Sequence, residues 1–581
     1  MTKMRAAVLP LVVLGFAFLS AACTKSHRSG PPKENVLRMA LDQKVRSFDP
    51  HVTSDVYSNQ VQSLVYETLY TYHYLKRPLE VIPALAESLP VFSKDRKTMT
   101  IKLKKGIRFQ DDACFKATNG KGRELSSADV VYMFERVSGT KIVSPTFGSL
   151  EHKIVGIDEF HAGKASSIVG ISAPDASTVV IKLAEPQPRF TFNFLDMHTA
   201  IVPKECVAAL GDEFPRHPVG TGPFHIVQAD LSSKVVGVRN PDYHTVAYPT
   251  EGNPGDKEAG MLDDAGKQLP LVDKVVMEVL EEKQPQWLKF LAGDFEYLGI
   301  PKDNIGVALP GGKLSPEISK LGVKHFSQAR GDVTTQFFNM DDPIWGKSKD
   351  LRHAFALAIN RAEVIAVQYA GQAIQAQSLL DPIQYGYDPK FKSKWADRDV
   401  AKAKELLAKA GYPEGKGLPP LQMPTNNDTV ARQFDELLSR QLKEVGITLK
   451  ADPMTWPEFE KRGRTKNFQI MGMGFASGVP DFDDAANLIH SRYAAPGDNF
   501  ASYRNAEVDK LVDEVGALDN GPVRLAKIHR IQELMDEDMA YVPMVHRVGN
   551  QLFQPWVRNP VYLDNMFVGM FARYLRVQTS K

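Results

Sequence analysis

Phe434-Asp435-Glu436-Leu437-Leu438-Ser439-Arg440-Gln441-Leu442-Lys443-Glu444-Val445-Gly446-Ile447-Thr448-Leu449-Lys450-Ala451 holds a helix, its stop and a strand in one short run. Phe434, Leu437, Leu438 and Leu442 recur at the spacing that lines one face of an α-helix. Gly446 then reads as a stop, because glycine takes a left-handed backbone without a Cβ clash, and 447–451 reads as a strand. The same grammar extends outward. Asp399 leads into Ala403, Leu406, Leu407 and Ala410 before Gly411, and Asp350 leads into Leu351, Phe355, Ala358 and Ile359. Together these segments predict an α/β lobe from about 330 to 540. Nearer the amino terminus, Thr98-Met99-Thr100-Ile101-Lys102-Leu103 and Thr178-Val179-Val180-Ile181-Lys182-Leu183 echo each other, with apolar residues at alternate positions, and are expected in one sheet. Between them Ser126 caps a predicted amphipathic helix carrying Val130, Val131 and Phe134. Loop insertions are expected at 116–124 and 245–266.

The chain has 581 residues, 43% hydrophobic and 24% charged, so it exceeds one compact domain and two or three globular units are expected. Lysine and arginine number 71 against 69 acidic residues, a balance that supplies no basic surface for nucleic acid. HExxH, nucleophile-elbow, P-loop and CxxC motifs are missing, and the 14 histidines show no ligand-like pairing. No enzyme, cofactor or metal site is therefore expected. Gly220-Thr221-Gly222 precedes Pro223 and reads as a tight turn. Asp481, Asp483 and Asp484 lack the glycine and distal glutamate of a calcium loop and read as a solvated acidic turn.

The first 22 residues stand apart: Lys3 and Arg5 precede an apolar run from Ala6 to Leu19 that ends in Ser20, Ala21 and Ala22. This is a secretory signal, too short to span a bilayer stably. Leu19-Ser20-Ala21-Ala22-Cys23 resembles a bacterial lipobox, with Ser20 where leucine is preferred, so Cys23 is the expected lipidation site. Residues 23–35 would form the anchor and tether, leaving the mature protein on the extracytoplasmic, periplasmic face of the membrane, held by lipid alone. Cys114 and Cys206 are either joined in a disulfide or are two buried thiols.

The order of short segments resembles extracellular solute-binding protein family 5, the oligopeptide-, dipeptide- and nickel-binding group. Its landmarks here are Ser47-Phe48-Asp49-Pro50-His51, Val65-Tyr66-Glu67-Thr68-Leu69, Ile82-Pro83-Ala84-Leu85-Ala86-Glu87-Ser88 and Leu103-Lys104-Lys105-Gly106-Ile107-Arg108-Phe109. Leu125-Ser126-Ser127-Ala128-Asp129-Val130, Val219-Gly220-Thr221-Gly222-Pro223-Phe224, the 350–361 helix and Ala403-Lys404-Glu405-Leu406-Leu407-Ala408-Lys409-Ala410-Gly411-Tyr412-Pro413 complete the series. The resemblance implies a two-lobed α/β periplasmic-binding-protein fold with an extra inserted domain. Domain I would comprise 36–80, 203–330 and 547–581, domain II 81–202, and domain III 331–546, with hinges near Gly331 and Val545. It also implies a monomeric binding component of an ABC importer that hands a peptide or peptide-like ligand to the permease.

In peptide-binding members the ligand lies extended between the lobes and bonds to strand segments. Ser54, Asp55 and Val56 match the domain I segment that does this, and Gly474-Phe475-Ala476-Ser477-Gly478 matches its partner in the other lobe. Phe475 replaces a tryptophan wall, Trp456 matches a second wall residue, and Arg462 or Arg464 would meet a carboxylate. His546 and Arg547 fall where the chain recrosses the hinge. Gly478 stands where the family places the aspartate that holds the ligand's amine. Either Asp481 or Asp483 replaces it, or the ligand is a blocked, modified or wall-derived peptide, and the glycine leans toward the latter. A nickel chelate, haem, an oligosaccharide, a motif-less hydrolase and a periplasmic chaperone or signalling role are the alternatives.

Overall fold

The structure is a computed structural model that describes residues 30–53, 55–495, 497–562 and 568–580. The signal segment, Cys23 and Ser54 lie outside the described residues. Among the described residues no helix is long and apolar enough to cross a membrane.

Two four-stranded sheets build the first lobe. In one, Val36–Leu41 pairs in parallel with Lys274–Val279, followed by Lys234–Arg239 and Phe224–Asp230. The other runs Val91–Phe92, Thr98–Lys102, Thr178–Lys182, Ile171–Asp175. Thr98–Lys102 and Thr178–Lys182 are antiparallel neighbours with Thr98 opposite Lys182, which turns Met99, Ile101, Val179 and Ile181 inward as their alternation predicts. Helix Ser127–Ser138 begins with a capping box between Ser126 and Asp129, and buries Val130, Met133, Phe134 and Val137. Each such side chain contributes about 1.5–3 kcal/mol when fully buried. One continuous core joins the sheets and takes in the carboxy-terminal segment through Phe571, Tyr574 and Leu575. Cys114 and Cys206 form a disulfide across 92 positions, with Cα atoms 4.9 Å apart, tying the start of the 116–124 loop to helix Lys204–Leu210.

The second lobe wraps two cores around an antiparallel sheet. Asp399 caps Val400–Lys409, and Gly411 ends that helix at φ +92°. Ser348, not Asp350, caps Lys349–Ala358; Asp350 sits in the first turn, where a carboxylate favours the helix dipole. After helix Thr429–Lys443 the strand is Leu449–Met454, later than 447–451, because the Ile447 amide is used to close the helix on Leu442 O at 3.0 Å.

The two lobes share one strand. Tyr541–Phe553 pairs with Asp332–Phe338 near its start, then with Lys324–Ala329 and Tyr297–Gly299 near its end. The chain recrosses alongside it at Arg330 and Gly331, where a Cβ on Gly331 would come within 2.4 Å of Ile383. A side chain at this position would first have to push the Ile383 side chain aside.

Candidate functional site

Strand Ile470–Ala476 ends the second lobe's sheet, pairing with Asp332–Phe338 on one side and, among the described residues, with no strand on the other. The Ser477 amide donates to Gly331 O at 2.9 Å, so in this antiparallel ladder the odd-numbered residues bond inward. Gly474 and Ala476 therefore turn N–H and C=O to the open edge. An edge of this kind accepts an added extended segment.

Beside the edge lies a cavity of about 320 Å³ lined by Trp456, Arg464, Phe475, Ala476, Ser477 and Gly478, six of the residues singled out from sequence. Trp456 opens helix Trp456–Arg464 and is 53% exposed. Phe475 is half-buried, its ring 6.3 Å from Phe337 and 6.2 Å from Phe500. Arg464 lies over the Phe500 ring at 5.3 Å and pairs with Glu460 at 3.2 Å and Asp498 at 3.8 Å. Helical spacing separates the two arginines: Trp456, Glu460 and Arg464 recur every fourth residue on one face, whereas Arg462 points elsewhere and pairs with Asp452 at 2.8 Å.

The acidic segment is not a solvated turn. Asp481 is fully buried and holds Arg524 through both oxygens, at 2.9 and 2.5 Å, while Asp483 is divided between Arg189 at 2.6 Å and Arg524 at 3.2 Å. Neither is free to take over from Gly478. Asp484 does reach that position: its Oδ2 accepts the Gly478 amide at 2.6 Å and the Val479 amide at 2.9 Å, and it lines the cavity. Asp381, which carries no sequence signal, joins it on the cavity wall. It is 1% exposed and accepts the Ile383 amide at 3.0 Å and the Ser477 hydroxyl. Among the described residues neither carboxylate has a cationic partner. Burial pushes Asp381 up to about 7, with repulsion from Asp332 and Asp484, and pushes Asp484 up to about 6, with repulsion from Asp483 and Asp481.

On the first lobe, Asp55 caps helix Val56–Gln62 by accepting the Ser58 amide and hydroxyl, both at 2.8 Å. Asp55 and Val56 thus form a helix start, not a strand-like segment. His546 is buried in the hinge, its Nδ1 donating to Asp332 O at 2.8 Å, and burial lowers its pKa. Arg547 pairs with Asp332 at 2.9 Å and lines a larger space of about 790 Å³, shared by Tyr57 and Gln60 of the first lobe and Gly474 of the second. This larger space, unlike the cavity beside the edge strand, is lined from both lobes.

Two α/β lobes joined by a shared hinge strand, with one cavity at the second lobe's sheet edge and a wider space lined from both lobes, are the architecture of the solute-binding proteins. Residues 80–496 match the family described as bacterial extracellular solute-binding proteins, family 5 middle, and the chain belongs to that family. It is 26% identical over 493 residues to di/tripeptide-binding protein 1 of Pseudomonas aeruginosa, covering 82% of each chain. It is 23% identical over 498 residues to heme-binding protein A of Haemophilus influenzae, covering 84% of this chain and 82% of that one. Among solved structures, the periplasmic binding protein DppA of Helicobacter pylori in complex with the peptide STSA superposes with a TM-score of 0.69 at 22% identity, over 94% of this chain and 99% of that one.

Proposed function

We propose that this protein captures a short peptide between its lobes, chemically unchanged, and delivers it to the permease of an ABC importer. The observation that carries this reading is the pair Asp381 and Asp484, which among the described residues have no cationic partner and lie beside the unpaired edge of Ile470–Ala476. The edge amides and carbonyls of Gly474 and Ala476 would bond the peptide main chain, Trp456 and Phe475 would cover its side chains, and the carboxylates would receive its terminal ammonium. Gly478 alone favours a blocked amine; Asp484, bonded to the Gly478 amide, reverses that preference. A charge-assisted hydrogen bond of this type contributes about 1.5–3 kcal/mol. The di/tripeptide-binding relative agrees with such a cargo. A haem ligand, suggested by the heme-binding relative, is disfavoured because Asp381, Glu460, Asp484 and Asp498 line the cavity against Arg464 as its basic residue, and haem propionates are anionic.

The domain division 36–80, 203–330 and 547–581; 81–202; and 331–546 belongs to the same proposal, as does a lipid anchor at Cys23. Calorimetry with trialanine and its N-acetylated form tests the cargo. Trialanine should bind and acetylation should weaken it roughly ten- to a hundred-fold, whereas equal affinities, or binding of haem with no peptide, would overturn the reading. Mass spectrometry of ligand carried through purification would identify the natural peptide. Cys23→Ala should move the protein from the membrane fraction to the soluble exported fraction.

A further inference from the structure

Arg189 belongs to the first lobe but is completed by the second. It precedes the helical turn Phe190–Phe194, whose Phe190 and Phe194 rings sit in the first lobe's core. Its guanidinium leaves that lobe: Nε donates to Asp483 at 2.6 Å, Nη1 to Leu518 O at 2.8 Å and Nη2 to Gly516 O at 2.7 Å. The side chain is only 11% exposed. Gly516 lies in the last turn of helix Ala506–Ala517 and Leu518 caps it. Carbonyls there have no partner within the helix and form the negative end of its dipole. Arg189 thus satisfies a helix end in the opposite lobe.

We propose that Arg189 is a latch whose contacts favour the closed arrangement and, through it, tight peptide retention; the retention part rests on the peptide reading above. These bonds, with a fourth from Nη2 to Val515 O at 3.3 Å, exist only when the lobes are together, so their whole free energy acts on the open–closed equilibrium. The receiving side is built in advance: Arg524, fully buried, grips Asp481 and also reaches Asp483 at 3.2 Å. Asp483 adjoins Asp484, which lines the cavity, so the latch and the site share one segment. Arg96, also from the first lobe, pairs with Asp519, but both are partly exposed and such pairs contribute little.

Pulsed electron–electron distance measurement between spin labels on the two lobes, without added peptide, tests the latch directly. Arg189→Ala should shift the distribution to longer distances, and Arg189→Lys, which keeps the charge but not the fork, should fall between. Trialanine affinity should drop roughly ten- to a hundred-fold in Arg189→Ala, mainly through faster dissociation. Asp483→Asn approaches the contact from the other lobe, and its effect on the distances should be non-additive with Arg189→Ala. Unchanged distances in a folded Arg189→Ala protein, or strict additivity, would overturn the proposal. Widened distances with no peptide binding to the wild type would uphold the latch and refute the peptide reading. Should Arg189→Ala fail to fold, Arg189→Lys and Asp483→Asn carry the same comparison.

Discussion

Glu67 in the first lobe and Asp381 in the second are both carboxylates removed from water, yet their surroundings are opposite. Glu67 accepts from Tyr243 at 2.7 Å, His244 at 2.8 Å, Thr221 at 2.9 Å and Arg573 at 3.1 Å. Burial alone would raise its pKa, but His244, Arg573 and Tyr243 outweigh burial and hold it down to about 2. Asp381 has a hydroxyl and an amide but, among the described residues, no cation, and burial pushes it up to about 7. A buried acid with every oxygen paired is a structural joint. One left without a cation on a cavity wall is a place for a cation that arrives.

Glu67→Ala should break that contrast most severely. It strands Arg573 inside the first lobe, and loss of one partner of a buried pair costs about 3–5 kcal/mol, which chemical denaturation would register. Asp381→Asn and Asp484→Asn should instead leave stability unchanged or raise it, while weakening binding of a free-amine peptide roughly ten- to a hundred-fold in calorimetry. If Asp381→Asn destabilised the protein as much as Glu67→Ala, the distinction between joint and receptor would fail.

Titration sharpens the same comparison with opposite signs. The depressed pKa of Glu67 means that its stabilisation is present above the ordinary value of 4.5 and is lost as pH falls toward about 2. Asp381 and Asp484 hold their protons more tightly folded than unfolded, so their contribution is lost as pH rises from 3.8 toward about 7 and about 6 respectively. The melting temperature without peptide should therefore decline from pH 5 to 7.5, and Asp381→Asn should flatten the decline. Peptide affinity should run the other way, rising over this range as the carboxylates ionise, until the peptide amine loses its proton near pH about 8. An N-acetylated peptide should show no such rise. The smallest effect on stability is expected for Trp456→Ala: the residue is 53% exposed, so melting should barely move while peptide affinity falls.

Much of the second lobe could be read from local pattern. Asp399, Gly411 and Gly446 act where their chemistry places them, as cap and stops, because these effects involve only residues within a turn or two. The site was legible in part. Trp456, Arg464 and the run from Phe475 to Gly478 do line one cavity. Arg462 was separable from Arg464 only once the helix fixed which face meets the cavity. Asp55 and Val56, matched by resemblance to a ligand-bonding segment, open helix Val56–Gln62 instead of extending, because an Asp with Ser three residues on caps a helix.

The sequence by itself determined the α/β class and the family resemblance, since periodicity, caps and ordered motifs are carried by neighbouring residues. Tertiary structure alone decided which charges are spent and which are available. Asp481 and Asp483 have the same local pattern as Asp484, but Arg524 and Arg189 arrive from 43 and 294 residues away to occupy the first two. Asp381 reaches the cavity through Ser477, 96 residues distant. A carboxylate's pKa depends on burial and on charges within a few ångströms, and it is the fold that sets both.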